Sequence, residues 1–191
     1  MVKIAIVYFS GYGHTQKIAE AVAKGALDAG GEITSIKISP EGNISDEELD
    51  GLDSADAIIY GSPTYMGGPA WQFKKFADAS SKKWFTRLWQ DKIAGGFTVS
   101  ASQVGDKGTT LAYLHTLASQ HGQIWVSLGL APSNTLAATE NDLNRSGGSV
   151  GLTVTAPSDS SPDQAPFSGD IETAKAYGAR IVAIASRMSA K

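Results

Sequence analysis

The chain has 191 residues, 42% of them hydrophobic, enough for one sizeable core and too few for two ordinary domains, so a single domain over residues 1–191 is expected. Its 16 basic and 19 acidic residues are scattered without a basic block, which argues against nucleic acid as a partner. The absence of cysteine excludes disulfides, thiolate metal sites and thiol redox chemistry, and three histidines leave little for a metal cluster, so no metal site is expected and any redox function needs a bound cofactor.

The opening run Ile4-Ala5-Ile6-Val7-Tyr8-Phe9 is apolar throughout and ended by glycines, the pattern of a strand buried on both faces of a parallel sheet. It is too short for a signal peptide, and no later run approaches membrane-spanning length, so a cytoplasmic protein without a membrane partner is expected. From Thr15 to about Ala29 the residues Ile18, Ala19, Val22, Ala23 and Ala26 recur at helical spacing, until Gly30-Gly31 stops the pattern. Glu32 to Ile38 alternates as a second strand, and Ser45-Asp46-Glu47-Glu48 has the capping-box form that opens a short acidic helix. Ala57-Ile58-Ile59-Tyr60-Gly61 reads as a third strand, followed by a loop from Ser62 to Pro69 and a helix from about Ala70 to Ala79. Ile93 to Ser100 gives a fourth strand, Ala101 to Gly108 a loop, Thr109 to about Gln120 a helix, and Ile124-Trp125-Val126-Ser127-Leu128 a fifth strand. Residues 129–168 have no sustained period and are expected to form a functional flap or an assembly element. Ala174, Tyr177, Ile181, Ile184 and Met188 then mark a last, docked helix. Alternating strands and helices predict a doubly wound α/β fold, a parallel sheet with helices on both faces and a ligand crevice at the carboxyl ends of the strands.

The segment Ser10-Gly11-Tyr12-Gly13-His14-Thr15 stands where a buried strand turns into a helix, so backbone amides and the helix dipole converge there on a place suited to a phosphate. The glycines allow close backbone approach, and the hydroxyls of Ser10 and Thr15 can donate to phosphate oxygens. A triphosphate loop needs a lysine before the threonine, whereas Lys17 follows it; a dinucleotide fingerprint needs a third glycine where Gln16 stands. A terminal monophosphate, as in FMN, is what this pattern leaves. The stretches Pro63-Thr64-Tyr65-Met66 and Ser100-Ala101-Ser102-Gln103-Val104-Gly105 follow the third and fourth strands and would surround the same crevice. Gly147-Gly148-Ser149-Val150-Gly151 matches a serine-hydrolase elbow in letters only, since no convincing strand precedes it and no histidine follows it. A response-regulator receiver needs acidic residues at strand ends occupied here by Phe9-Ser10 and Gly61-Ser62.

On Tyr8 to Thr15, Gly61 to Thr64, Trp84-Phe85, Phe97 to Thr110 and His115 through His121-Gly122, the chain resembles the WrbA-type flavodoxin family, FMN-dependent NAD(P)H:quinone oxidoreductases. The resemblance implies a flavodoxin-like five-stranded parallel sheet in the order 2-1-3-4-5, with residues 10–15 holding the FMN phosphate and Pro63 to Met66 and Ser100 to Gly105 contacting the ribityl chain and ring. It places Trp84 and His121 beside the substrate as catalytic residues. It also implies NAD(P)H as co-substrate, a quinone or similar small acceptor, and a homodimer or homotetramer. Members of that family usually carry Arg-Phe where Tyr65-Met66 stand and often a histidine where Val104 stands. Two other readings stay open: a flavodoxin-type electron carrier, whose usual strongly acidic docking face a net charge of −3 does not suggest, and a flavin-bearing scaffold or sensor acting through residues 129–168.

Overall fold

A computed structural model describes residues 1–189. Strand β1 (Lys3–Tyr8) lies in a parallel sheet between β2 (Glu32–Lys37) and β3 (Ala57–Tyr65), and β3, the central strand, in turn pairs with β5 (Ile93–Ser100). A two-residue strand β4 (Gly68–Pro69) folds back on the end of β3. The order continues through β6 (Ile124–Trp125), giving β2-β1-β3-β5-β6, which is the expected 2-1-3-4-5 once the β4 hairpin is set aside. The fold is flavodoxin-like.

Alternation along β1 explains the two layers. Ile4, Ile6 and Tyr8 face one cluster with Ile18 and Val22 of α1 (His14–Asp28) and Tyr177 and Ile181 of the last helix (Ser168–Ser189). Ala5 and Val7 face another with Phe73 and Phe76 of α3 (Trp71–Ala79) and Leu111 and Leu114 of α5 (Lys107–Gln120). The short helices α2 (Asp46–Gly51) and α4 (Ser81–Phe85) lie between these elements in sequence, so the last helix is α6. Ile6 is fully buried, and its truncation to alanine would cost roughly 2–5 kcal/mol. Helix α1 ends where Gly30 takes φ 87°, letting Gly30 N donate to Leu27 O at 2.9 Å and Gly31 N to Ala26 O at 3.0 Å, a Schellman closure. The expected capping box is present at α2, with Ser45 Oγ accepting from Glu48 N and Ser45 N donating to the Glu48 carboxylate.

Two regions differ most from the sequence reading, beside the added short helix α4 and a start of α5 at Lys107 in place of Thr109. The expected fifth strand over residues 124–128 keeps only Ile124 and Trp125 in the sheet; the rest of the edge of β5 is covered by β7 (Leu152–Thr155), which pairs with Phe97–Ser100. The fifth position is therefore one strand interrupted by residues 126–151, and β7 falls inside the stretch read as aperiodic. The expected loop over residues 62–69 instead begins with the end of β3 and closes as a hairpin through Met66-Gly67, both at positive φ, as a type I′ turn requires.

Candidate functional site

A cavity of about 500 Å³ opens at the carboxyl ends of β1, β3, β5 and β7. Its walls come from four segments: Tyr12, His14 and Thr15 after β1; Pro63, Thr64 and Tyr65 at the end of β3; Val99, Ser100 and Ala101 at the end of β5; and Ala156, Ser158 and Ser160 after β7.

The first wall is a cradle of backbone amides. Gly13 caps α1 with φ 91°, and Lys17 N donates to Gly13 O at 3.0 Å as the first helical bond. Ser10 is buried, and its Oγ accepts from Gly13 N and Gln16 N, both at 3.1 Å. Both acceptor positions being taken, the Ser10 hydroxyl keeps its proton to donate. The amides of Gly11, Tyr12, His14 and Thr15 form no hydrogen bond among the described residues. Four free donors at the positive end of a helix of 15 residues favour an anion. Thr15 is buried beside them and lines the cavity.

The second wall is rigid. Thr64 Oγ1 meets Thr98 Oγ1 at 2.8 Å and donates to Thr110 Oγ1 at 2.7 Å, a buried hydroxyl chain that ties β3, β5 and α5 together under the cavity. Tyr65 stands edge-on to Tyr12, with ring centroids 6.2 Å apart. Its phenol is held above the ordinary pKa by burial and by Tyr12, so it stays a neutral donor. Its Oη lies where a Gly11 side chain would begin, 2.7 Å from an added Cβ.

The fourth wall was not among the residues expected at the site. His14 Nε2 lies 3.1 Å from Ser160 O, and Lys17 Nζ donates to Pro162 O and stands 4.0 Å from Asp163. An added Cβ on Gly13 would lie 2.5 Å from Pro162 Cγ. Residues 157–163 thus form a strap across the cradle, leaving little room beyond it.

Several expected residues stand elsewhere. Met66, at the hairpin tip, is 105% exposed and Val104 81% exposed, and neither lines the cavity. Of the loop after β5, Ser100 and Ala101 face the cavity, whereas Gln103 lines a neighbouring polar cavity of about 310 Å³ with Thr139, Arg145, Thr155 and Asp170. Ser102 and Gly105 shape that loop without lining the cavity. Trp84 and His121 lie at the opposite, amino-terminal end of the sheet. Trp84 is on α4, which precedes β5, and packs edge-on against Phe85 at 5.4 Å; His121 follows α5 and precedes β6. His121 is buried, its ring centroid 4.4 Å from that of Trp89 and its Nε2 2.9 Å from Ser80 Oγ. Burial, with the nearby Arg87, pulls its pKa down to about 4 and keeps it neutral. The chain's own cavity therefore contains neither of the two residues expected to act on substrate. Lys107, which no pattern singled out, holds the loop after β5 from below.

Residues 5–127 match the family model described as a flavodoxin domain. Over its full length the chain is 54% identical to a Pseudomonas aeruginosa protein named flavodoxin FldP, with all of that protein covered. It is 33% identical to a Trichlorobacter lovleyi protein named NAD(P)H dehydrogenase (quinone), again with both chains covered in full. A crystal structure described as a flavodoxin, WrbA-like protein, from Agrobacterium tumefaciens superposes with a TM-score of 0.77 at 46% identity, covering 98% of this chain and 99% of that one.

Proposed function

Because the chain belongs to the flavodoxin family, we propose that it is a flavoprotein that holds FMN in the cavity at the carboxyl end of the sheet and passes electrons as a flavodoxin-type carrier. The observation that carries the cofactor reading is the cradle of unpaired amides at residues 11–15, with the Ser10 and Thr15 hydroxyls beside it. It suits a dianionic phosphate. The cavity of about 500 Å³ lies in the usual range for cofactor sites. The crowding of Gly13 by Pro162 supports a terminal monophosphate over an adenylated flavin. Ser10, Thr15 and the free amides would hold the phosphate, and Thr64, Tyr65, Ser100 and Ala101 would border the ring.

FMN would supply the electron-accepting and electron-donating chemistry. The chain's own residues bind and orient it: the threonine chain fixes β3 against β5, Tyr65 offers a neutral aromatic wall, and the strap screens the phosphate from water. The exposed side chains Tyr12, Met66 and Val104 around these loops suit contact with a partner surface. The carrier reading is supported by the 54% identity to a protein named a flavodoxin and by the distance in the fold between the cavity and Trp84. The test is reconstitution of the apoprotein with FMN and FAD, followed by anaerobic mixing with NADH or NADPH. Tight FMN binding, weak FAD binding and slow or no reduction by nicotinamide are expected; rapid reduction would count against the carrier.

The second reading is an FMN-dependent NAD(P)H:quinone oxidoreductase, favoured by the name of the Trichlorobacter lovleyi relative. Trp84 is 39% exposed on α4, so under this reading a second copy of the chain would bring it to the cavity mouth in a homo-oligomer. His121, buried in its own chain, would keep a packing role.

A further inference from the structure

Lys107 is the first residue of α5, yet it is only 3% exposed. A lysine there is doubly disfavoured: it loses solvent, and its charge opposes the positive end of the helix dipole. All three of its protons are nonetheless used. Nζ donates to Ser102 O at 2.6 Å, to Gln103 O at 2.9 Å and to Thr155 Oγ1 at 3.1 Å, so two bonds hold the loop after β5 and the third anchors it to β7. The loop itself is tightly folded: Gly105 and Asp106 are successive residues at φ 50° and 52°, and Ser100 Oγ lies 2.0 Å from where a Gly105 side chain would begin. The charged group that faces the ammonium is Asp170, buried in the first turn of α6. Burial lowers the Lys107 pKa to about 8, with Asp170 opposing, so the side chain is cationic at neutral pH.

Resting on the FMN reading above, we propose that Lys107 is a positioning residue that fixes the 100–105 loop against the flavin and biases the bound cofactor toward its reduced form, with Asp170 setting how much of that charge is felt. Taking up two electrons and one proton leaves a flavin with one more negative charge than its oxidised form. A desolvated cation behind the loop that borders the ring favours that added charge, and in a low-dielectric setting the effect is larger than at the surface. The carbonyls of Ser102 and Gln103 are both committed to the ammonium.

The test is an anaerobic dithionite titration of FMN-loaded protein against reference dyes, comparing wild type, Lys107→Met and Asp170→Asn. Lys107→Met should lower the preference for reduced over oxidised FMN about tenfold, equivalent to roughly 30 mV for a two-electron couple. Asp170→Asn, which leaves the ammonium without its counter-charge, should shift the potential the other way. Hydrogen exchange of the amides of residues 102–105 should also quicken in the Lys107→Met apoprotein. Shifts of the same sign, or unchanged potentials with FMN bound, would overturn the proposal and leave the cofactor reading standing. Failure of the wild type to bind FMN would remove both. Should Lys107→Met not fold, Asp170→Asn decides alone: a potential that does not rise overturns the proposal.

Discussion

His14 Nε2 and Ser160 O meet at 3.1 Å across 146 positions of sequence, joining the first turn of α1 to the segment that follows β7. Lys17 reaches the same segment through Pro162 O. Together they tie the 157–163 strap to the start of α1, and under the FMN proposal the strap would gate release of the phosphate. Lys17→Met is expected to speed FMN dissociation severalfold, measured by the recovery of flavin fluorescence on dilution. Stability should change little, since a partly exposed pair contributes about 0–1 kcal/mol. An unchanged dissociation rate would mean that the strap does not gate the phosphate.

Ser10 and Thr15 are separable. Ser10 Oγ accepts from two backbone amides in the apoprotein, so Ser10→Ala should lower apoprotein stability by about 1 kcal/mol, as loss of a helix cap does, and weaken FMN as well. Thr15 Oγ1 forms no hydrogen bond among the described residues, so Thr15→Val should spare apoprotein stability. It should weaken FMN by about 1–3 kcal/mol, the contribution of one hydrogen bond to a charged group. Calorimetric binding of FMN alongside urea unfolding of the apoproteins distinguishes the two; equal effects on both measures at both positions would contradict the assignment.

The hairpin tip carries a strained residue. Met66 has φ 48° with its side chain in solvent, and the left-handed region costs a non-glycine residue roughly 1–2 kcal/mol. Asparagine tolerates that conformation, and Met66→Asn is expected to stabilise the apoprotein by about 0.5–1 kcal/mol in urea unfolding. A destabilised variant would show that the Met66 side chain makes a contact in solution that outweighs the strain.

Strands buried on both faces leave uninterrupted apolar runs, which is why β1, β3 and β5 were legible from Ile4 to Phe9, Ala57 to Gly61 and Ile93 to Ser100. The cradle was legible too, because glycines and hydroxyls between a strand and a helix have few other reasons to be there. β7 was not: Leu152–Thr155 is four residues long, set among glycines and serines, and it is a strand only because β5 offers an edge that β6 leaves uncovered. The same holds for Ser158 and Ser160, which sit in a Ser- and Pro-rich stretch and reach the cavity through contacts with His14 and Lys17 far away in sequence. Lys107 falls in the expected loop over residues 101–108, whereas it opens α5 and is buried by packing. Trp84 and His121 came from resemblance alone, and chain order, with α4 before β5 and residue 121 before β6, sends both to the far end of the sheet.

Two buried groups titrate in opposite senses over the same acid range. His121 has a native pKa of about 4 against an ordinary 6.5, so its unfolded form takes up a proton first as pH falls, and stability present above pH 6.5 is lost towards pH 4. Asp170 has a native pKa raised to about 6 from 3.8 by burial, against the pull of the Thr155 amide and Lys107. Its native form holds the proton longer, so its contribution is full below pH 3.8 and lost as pH rises through 6. Between pH 4 and 6 the two slopes oppose each other, and the apoprotein should show a shallow dependence of its urea midpoint. Asp170→Asn should steepen the acid loss, and His121→Gln should reverse it, so that stability falls as pH rises. Identical profiles in all three proteins would contradict both assignments.

The carrier and the quinone reductase make different demands on Trp84. In a carrier, acceptors meet the cofactor at the mouth bordered by Tyr12 and Tyr65, and Trp84 is remote from it within the chain. Trp84→Ala should then leave electron transfer to a one-electron acceptor such as ferricyanide unchanged at every protein concentration. In a reductase, NAD(P)H and a benzoquinone would share one pocket in turn, giving parallel initial-rate lines of the ping-pong type. If a neighbouring copy supplies Trp84, its loss should raise both Michaelis constants severalfold, and the wild-type rate per chain should fall on dilution as the oligomer dissociates. FMN affinity should survive in either case, because Trp84 and the phosphate cradle lie at opposite ends of the sheet. Sedimentation of the loaded protein, run beside the kinetics, ties the two together. A monomer that turns over NADPH and benzoquinone with Trp84→Ala kinetically silent would overturn the shared-pocket arrangement. Slow reduction by either nicotinamide, with fast exchange with ferricyanide, would leave the carrier.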